Sequence, residues 1–197
     1  MKITQLPLDG LKLIEPTIFE DERGFFFESF NQKQFSKQIG LDIQFVQDNH
    51  SRSKKNVLRG LHYQQVPYSQ GKLIRVAHGK IFDVAVDIRQ NSPTFGRWHA
   101  EVLSSENRFQ LWIPDGFAHG FLTLSGCADV LYKTTTYWNA ESEICILWND
   151  SKISIQWPLR TEPILSEKDK KGHHLHELFN SQEQDPRAIK PTRPGIE

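Results

Sequence analysis

Ile81-Phe82-Asp83-Val84-Ala85-Val86-Asp87-Ile88 decides the fold class of this chain. Phe82, Val84, Val86 and Ile88 alternate with Ile81, Asp83, Ala85 and Asp87, and a period of two is that of a strand, whose successive side chains point to opposite faces. The reading is a strand with an unbroken apolar row on one face and both carboxylates on the other. Working outward, KLIRVAHG before it and WHAEVL, FQLWIP, FLTLSG, ADVLYKTTTYW and EICILW after it are equally short. They are rich in β-branched and aromatic residues and are punctuated by Gly, Pro, Asn, Ser and Asp. Many short strands at close spacing predict a mainly all-β sandwich or barrel.

Helix is sparse. Asn31 to Gly40 reads as one short helix, with Asn31 as cap, Phe35 and Ile39 on one face and Gly40 as the stop. Ser166 could cap a second helical turn over Glu167 to Lys171. The 197 residues suit one domain, taken as 1–180, followed by a polar, Pro-containing tail over 181–197.

Charge and cysteine narrow the function classes. With 24 basic and 24 acidic residues the chain has no basic excess for a nucleic acid or a membrane surface. Cys127 and Cys145 each sit in an apolar segment and suggest neither a disulfide framework nor a zinc site. The N-terminal MKITQLPLDG has no apolar h-region, and no stretch approaches the roughly 18 apolar residues of a membrane span. A cytoplasmic protein is expected.

Four patches carry chemistry: Asp21-Glu22-Arg23-Gly24 with the aromatic run after it, Gln47-Asp48-Asn49-His50-Ser51, Leu58-Arg59-Gly60-Leu61-His62-Tyr63-Gln64, and Ile113-Pro114-Asp115-Gly116-Phe117-Ala118-His119-Gly120. In the third, Gly60, His62 and Gln64 share a strand face, and a bulge at Gly60 could bring Arg59 to the His62 side. His62 is then either a hydrogen-bonded core histidine or a catalyst, and Arg59 seeks either a phosphate or one of the chain's acids. His119 follows a Pro-x-Gly turn and either sits there half-exposed or points into the enclosed space. His50 and His99 read as surface strand positions, His78 as a turn neighbour, and His173, His174 and His176 as a surface loop. Trp98, Trp112, Trp148 and Trp157 read as core or sheet cover.

Taken together, the strings DERGFFFESF, FVQDNHSRS, VLRGLHYQ, GKLIRVAHGKIFDVAVDIR, SPTFGRW, WIPDGFAHGF and VLYKTTTYW closely resemble the dTDP-4-dehydrorhamnose 3,5-epimerase family, in order and spacing, to about Leu178. The resemblance implies a cupin-type jelly-roll β-barrel, a homodimer, and an isomerase acting on dTDP-4-dehydro-6-deoxy-D-glucose without a cofactor. It implies His62 as base, Asp169 as its paired carboxylate, Tyr132 as acid and Lys72 as the cation beside the ketone. It implies substrate contacts at Arg23, Glu28, Gln47, Asp48, Asn49, Arg59 and His119, stacking on thymine at Trp138, and outer contacts at Glu143 and Lys168. A metal-binding cupin needs two His at H-x-H spacing, a carboxylate and a later His. Here only His62 is present, with Gln64 at the second position, so no catalytic metal is expected. Alternatives are a relative that inverts C3 or C5 alone, a ketone isomerase, a non-catalytic sugar-nucleotide-binding cupin and a metal-dependent dioxygenase.

Overall fold

The computed structural model describes residues 1–40 and 42–180, with the side chain of Asn180 left out; the tail 181–197 lies outside the described residues. The strands are β1 (Lys2–Gln5), β2 (Lys12–Glu15), β3 (Phe19–Asp21), β4 (Gly24–Phe26), β5 (Gln47–Lys54), β6 (Leu58–Gln64), β7 (Lys72–His78), β8 (Lys80–Asp87), β9 (Trp98–Ser104), β10 (Gln110–Ile113), β11 (Phe117–Thr123), β12 (Cys127–Thr134) and β13 (Glu143–Cys145). The helices are α1 (Gln32–Ile39), α2 (Glu167–Lys170) and α3 (Leu175–Asn180).

Two antiparallel sheets form the body. The first has the order β1-β2-β10-β7-β12-β5 and the second β13-β6-β11-β8-β9, while β3 and β4 form a separate hairpin. From β9 to β12 the chain steps from one sheet to the other at every connection. That is the jelly-roll pattern, which covers both inner faces with a single winding. Among the described residues no ladder joins the edges of the two sheets, so the expected barrel is an unclosed one.

The alternation in β8 is present, and both of its faces are buried. Ile81 and Ala85 enter the core between the sheets with Leu111, Phe121 and Val130. Val84, Val86 and Ile88 lie on the outer face, covered by Ile146, Ile153 and Leu175 from the C-terminal segments. The carboxylates share the inner face and need partners there. Asp87 accepts from the Arg89 guanidinium and the Ser92 and Thr94 hydroxyls, and Asp83 from His119.

Helix α1 covers the outer face of the first sheet. The Asn31 side chain accepts from the Gln34 amide, and Gly40 closes the helix in the left-handed conformation. Eight residues are too few to hold a helix in water. Burial of Phe35 and Ile39 against Ile14, Leu73 and Trp112, at about 1.5–3 kcal/mol for each side chain, supplies the missing stability.

Candidate active site

One end of the space between the sheets is filled by the apolar core; the other opens into a polar cavity of about 260 Å³. Strand alternation selects its walls. From the first sheet, β5 contributes Gln47, Asn49 and Ser51, β7 contributes Lys72, and β12 contributes Tyr132 and Thr134. From the second, β6 contributes Arg59 and His62, β11 contributes His119 and Phe121, and β13 contributes Glu143. His62 and Tyr132 thus project from opposite walls into one space.

Arg59 and His62 share the cavity although three positions apart, because β6 is bulged against β11. His119 pairs with His62 and Phe121 with Arg59, so Gly120 alone opposes Gly60 and Leu61. Gly60 has a φ of +115°, and a Cβ there would stand 2.6 Å from Gly120 Cα and 2.7 Å from the His119 carbonyl oxygen. Only glycine fits so close an approach at that dihedral.

Behind His62 lies Asp169, 2 % exposed on α2. His62 Nε2 donates to Asp169 Oδ1 at 2.7 Å, and the Ser166 hydroxyl donates to Oδ2 at 2.6 Å. Burial opposes the Asp169 charge, but the hydrogen bonds from His62 and Ser166 outweigh it and hold this carboxyl below its ordinary pKa. A carboxylate on one ring nitrogen fixes the imidazole tautomer and leaves the lone pair on Nδ1.

Lys72 is 8 % exposed, and its ammonium donates to the His62 carbonyl oxygen at 3.2 Å. Burial pushes its pKa down to about 8, with Glu143 and Asp83 acting in the opposite sense. The Tyr132 phenol is shifted upward, first by burial and then by the Glu143 charge, so it holds its proton at neutral pH. Glu143 is pulled below its ordinary value despite burial, through the Lys168 ammonium and the Trp138 indole. Trp138 stands at the rim, 58 % exposed, with its backbone amide on the Gln47 side chain.

Three of the seven substrate contacts implied by the resemblance stand outside this cavity, and the outer contact Lys168 reaches it only through Glu143. Asp48 falls on the outward face of β5 and pairs with Lys133 at 2.8 Å. Glu28 accepts from Asn31 and Gln34 at the start of α1. Arg23 lies on the β3–β4 hairpin and pairs with Asp21.

The structure adds groups that the sequence reading left unassigned. Asp83, fully buried, holds His119 Nε2 at 2.9 Å, and Ser51 Oγ is buried at the cavity wall without a hydrogen-bond partner. Gln64 is buried and engaged: its amide nitrogen donates to the Tyr68 and Tyr137 carbonyls, and its oxygen accepts from the Asn139 amide. Period-two alternation could have separated Asp48 from Gln47 and Asn49. No local signal links Asp83 to His119.

A cupin-type jelly roll with an imidazole–carboxylate pair, a buried cation and a protonated phenol around one cavity is built to move protons at carbon. A sequence profile described as dTDP-4-dehydrorhamnose 3,5-epimerase matches residues 5–177. The enzyme of that name from Pseudomonas aeruginosa is 57% identical over 172 residues, 87% of this chain and 94% of the relative. The Escherichia coli enzyme is 53% identical over 179 residues, 91% of this chain and 97% of the relative. The crystal structure of a 3,5-epimerase from Legionella pneumophila in complex with dTDP-4-keto-L-rhamnose superposes with a TM-score of 0.88 at 51% identity, covering 92% of this chain and 95% of that one. The chain belongs to the dTDP-4-dehydrorhamnose 3,5-epimerase family, and it is an isomerase.

Proposed function

We infer that the protein inverts C3 and C5 of dTDP-4-dehydro-6-deoxy-D-glucose to give dTDP-4-dehydro-L-rhamnose. The C4 ketone acidifies the hydrogens on both neighbouring carbons. His62 removes one of them, and Asp169 stabilises the imidazolium that forms. Lys72 meets the charge that grows on the ketone oxygen, an interaction worth about 3–4 kcal/mol of barrier in a dry site. Tyr132 returns a proton to the opposite face, and repetition at the second carbon completes the double inversion.

The observation that carries this reading is the placement of His62 and Tyr132 on opposite sheets facing one cavity. Packed sheets stand roughly 10 Å apart, which leaves room for a sugar ring between an acid and a base. Arg59, whose Nε donates to Ser53 at 2.9 Å and whose Nη2 lies 3.5 Å from the Arg52 carbonyl, offers its remaining donors to the diphosphate, with His119 as a further donor. Trp138 offers a flat face to the thymine.

The active form proposed is a homodimer. Phe19, Phe25 and Phe26 are 62%, 57% and 68% exposed on the β3–β4 hairpin, an apolar patch of the kind that marks an interface. Arg23 on the same hairpin then reaches the diphosphate in the cavity of a second copy. A reducing compartment, the cytoplasm, suits the free thiols of Cys127 and Cys145.

Incubation with the keto-sugar nucleotide in heavy water, followed by NMR, tests the reading. Deuterium at both C3 and C5 with inversion of each is expected. Inversion at one centre alone would instead establish a single-centre epimerase, and no incorporation at either would leave a sugar-nucleotide-binding protein.

A further inference from the structure

Cys145 stands directly opposite His62 in the β13–β6 ladder, and the reaction has no use for it. One donor atom from each of His62, Cys145 and Asp169 lies within 4.8 Å of the others. We propose that these three side chains bind a thiophilic divalent cation, Zn²⁺ being the type, and that the bound cation switches the base off.

Two of the three ligand separations stand within an ångström of those around a tetrahedral ion. His62 Nε2 and Asp169 Oδ1 are 2.7 Å apart, and Cys145 Sγ lies 3.9 Å from the same oxygen. Zinc bonds of about 2.0–2.3 Å place tetrahedral ligands about 3.3–3.6 Å from one another. The first gap therefore widens by about 0.6–0.9 Å and the second closes by about 0.3–0.6 Å. Of the three ligands only His62 lines the cavity, while Cys145 and Asp169 are buried behind it, so the cation enters past the imidazole. One thiolate, one imidazole and one carboxylate favour Zn²⁺, Co²⁺ or Cd²⁺ over Mg²⁺ and Ca²⁺, which prefer all-oxygen sets.

The proton and charge balance explains the switching. Without a cation Cys145 is a buried thiol whose Sγ–H points to Asp169 Oδ1 at 3.9 Å. A coordinated thiol gives up its proton, and that proton goes to solvent. The cation takes the place of the hydrogen between Nε2 and Oδ1, and the neutral imidazole carries its proton on Nδ1 instead. Two negative ligands then cancel the two positive charges, which a buried site requires. With Nδ1 protonated, the ring has no lone pair for a C–H proton. The cavity stays open, so nucleotide binding persists while proton abstraction stops.

The switching rests on His62 as base, whereas the cation site does not, and the test separates them. The full chain is titrated with Co²⁺ while thiolate-to-cobalt charge-transfer absorption is followed, beside Cys145→Ala and Cys145→Ser. Zn²⁺ inhibition of C3 and C5 deuterium exchange is measured with dTDP affinity in parallel. The band should appear with one cobalt per chain and vanish in both variants. Zn²⁺ should inhibit the parent at concentrations at least roughly tenfold below those needed for the variants, since even an outer-shell partner is worth that much in metal affinity. Affinity for dTDP should not change, and Mg²⁺ should do nothing. Normal metal-free turnover and thermal unfolding show that a variant is folded, and the near-isosteric serine carries the test if alanine fails to fold. Absence of the band, its survival in the variants, or equal Zn²⁺ sensitivity in all three proteins overturns the site. A normal band without loss of exchange overturns the switching and with it the assignment of His62.

Discussion

Lys72 carries its charge where burial opposes it. Its pKa, brought down to about 8, gives the free enzyme a pH dependence whose sign is fixed. The group is cationic below that value and neutral above it, and only the cation can meet a developing enolate. The profile of kcat/KM, which reports the free enzyme, should therefore fall as pH rises through about 8. Lys72→Arg keeps its charge far above that range, so this alkaline limb should disappear from whatever activity remains. A limb that persists unchanged would assign it to another group. The acid and the base can be separated in the same way. His62→Ala should slow deuterium exchange about 10²–10⁴-fold with dTDP affinity retained in calorimetry. Tyr132→Phe removes only the donor on the far wall, so exchange should outlast inversion, and equal loss of both would give the acid role to another group.

At the scale of elements, the bulge in β6 is what assembles the cavity. Gly60→Ala meets the β11 backbone at both His119 and Gly120 at a positive φ, and neither contact can be relieved by rotating a side chain. Backbone strain of this kind costs about 1–3 kcal/mol, and the overlap adds to it. Denaturant unfolding should show a loss of at least that size, with weaker dTDP binding because Arg59 and His62 lose their common direction. These elements were unequally legible in the sequence. Helix α1 could be read from its caps and its i, i+4 pair, since each of those signals is local. The β8 alternation was equally plain, yet period two does not say that both faces are buried; the cover comes from Ile146, Ile153 and Leu175, far along the chain. The His62–Asp169 pair spans 107 residues and was reached only through the family resemblance. Asp83 and His119 lie 36 residues apart, and their pairing is set by ladder register rather than by any motif.

At the scale of the whole molecule, the proposed dimer decides what completes the site. Arg23 belongs by resemblance with the substrate, yet it sits on a hairpin braced from below by Arg108, whose guanidinium lies 4.1 Å from the Phe25 ring centroid. Folding that hairpin back onto its own cavity would break this brace and leave three aromatic rings in water. Passing it to a second copy keeps the brace and buries the rings. Each cavity of a twofold dimer would then hold His62 from one chain and Arg23 from the other, because an isologous interface exchanges the same patch both ways. Mixing supplies the test. His62→Ala and Arg23→Ala proteins, each weak alone, are dissociated together and allowed to reassociate. In a mixed dimer one cavity collects both lesions and the other collects neither, so random mixing should restore about a quarter of the parental sites. Activity that stays at the mean of the two parent variants would place Arg23 at its own chain's cavity or remove it from the site.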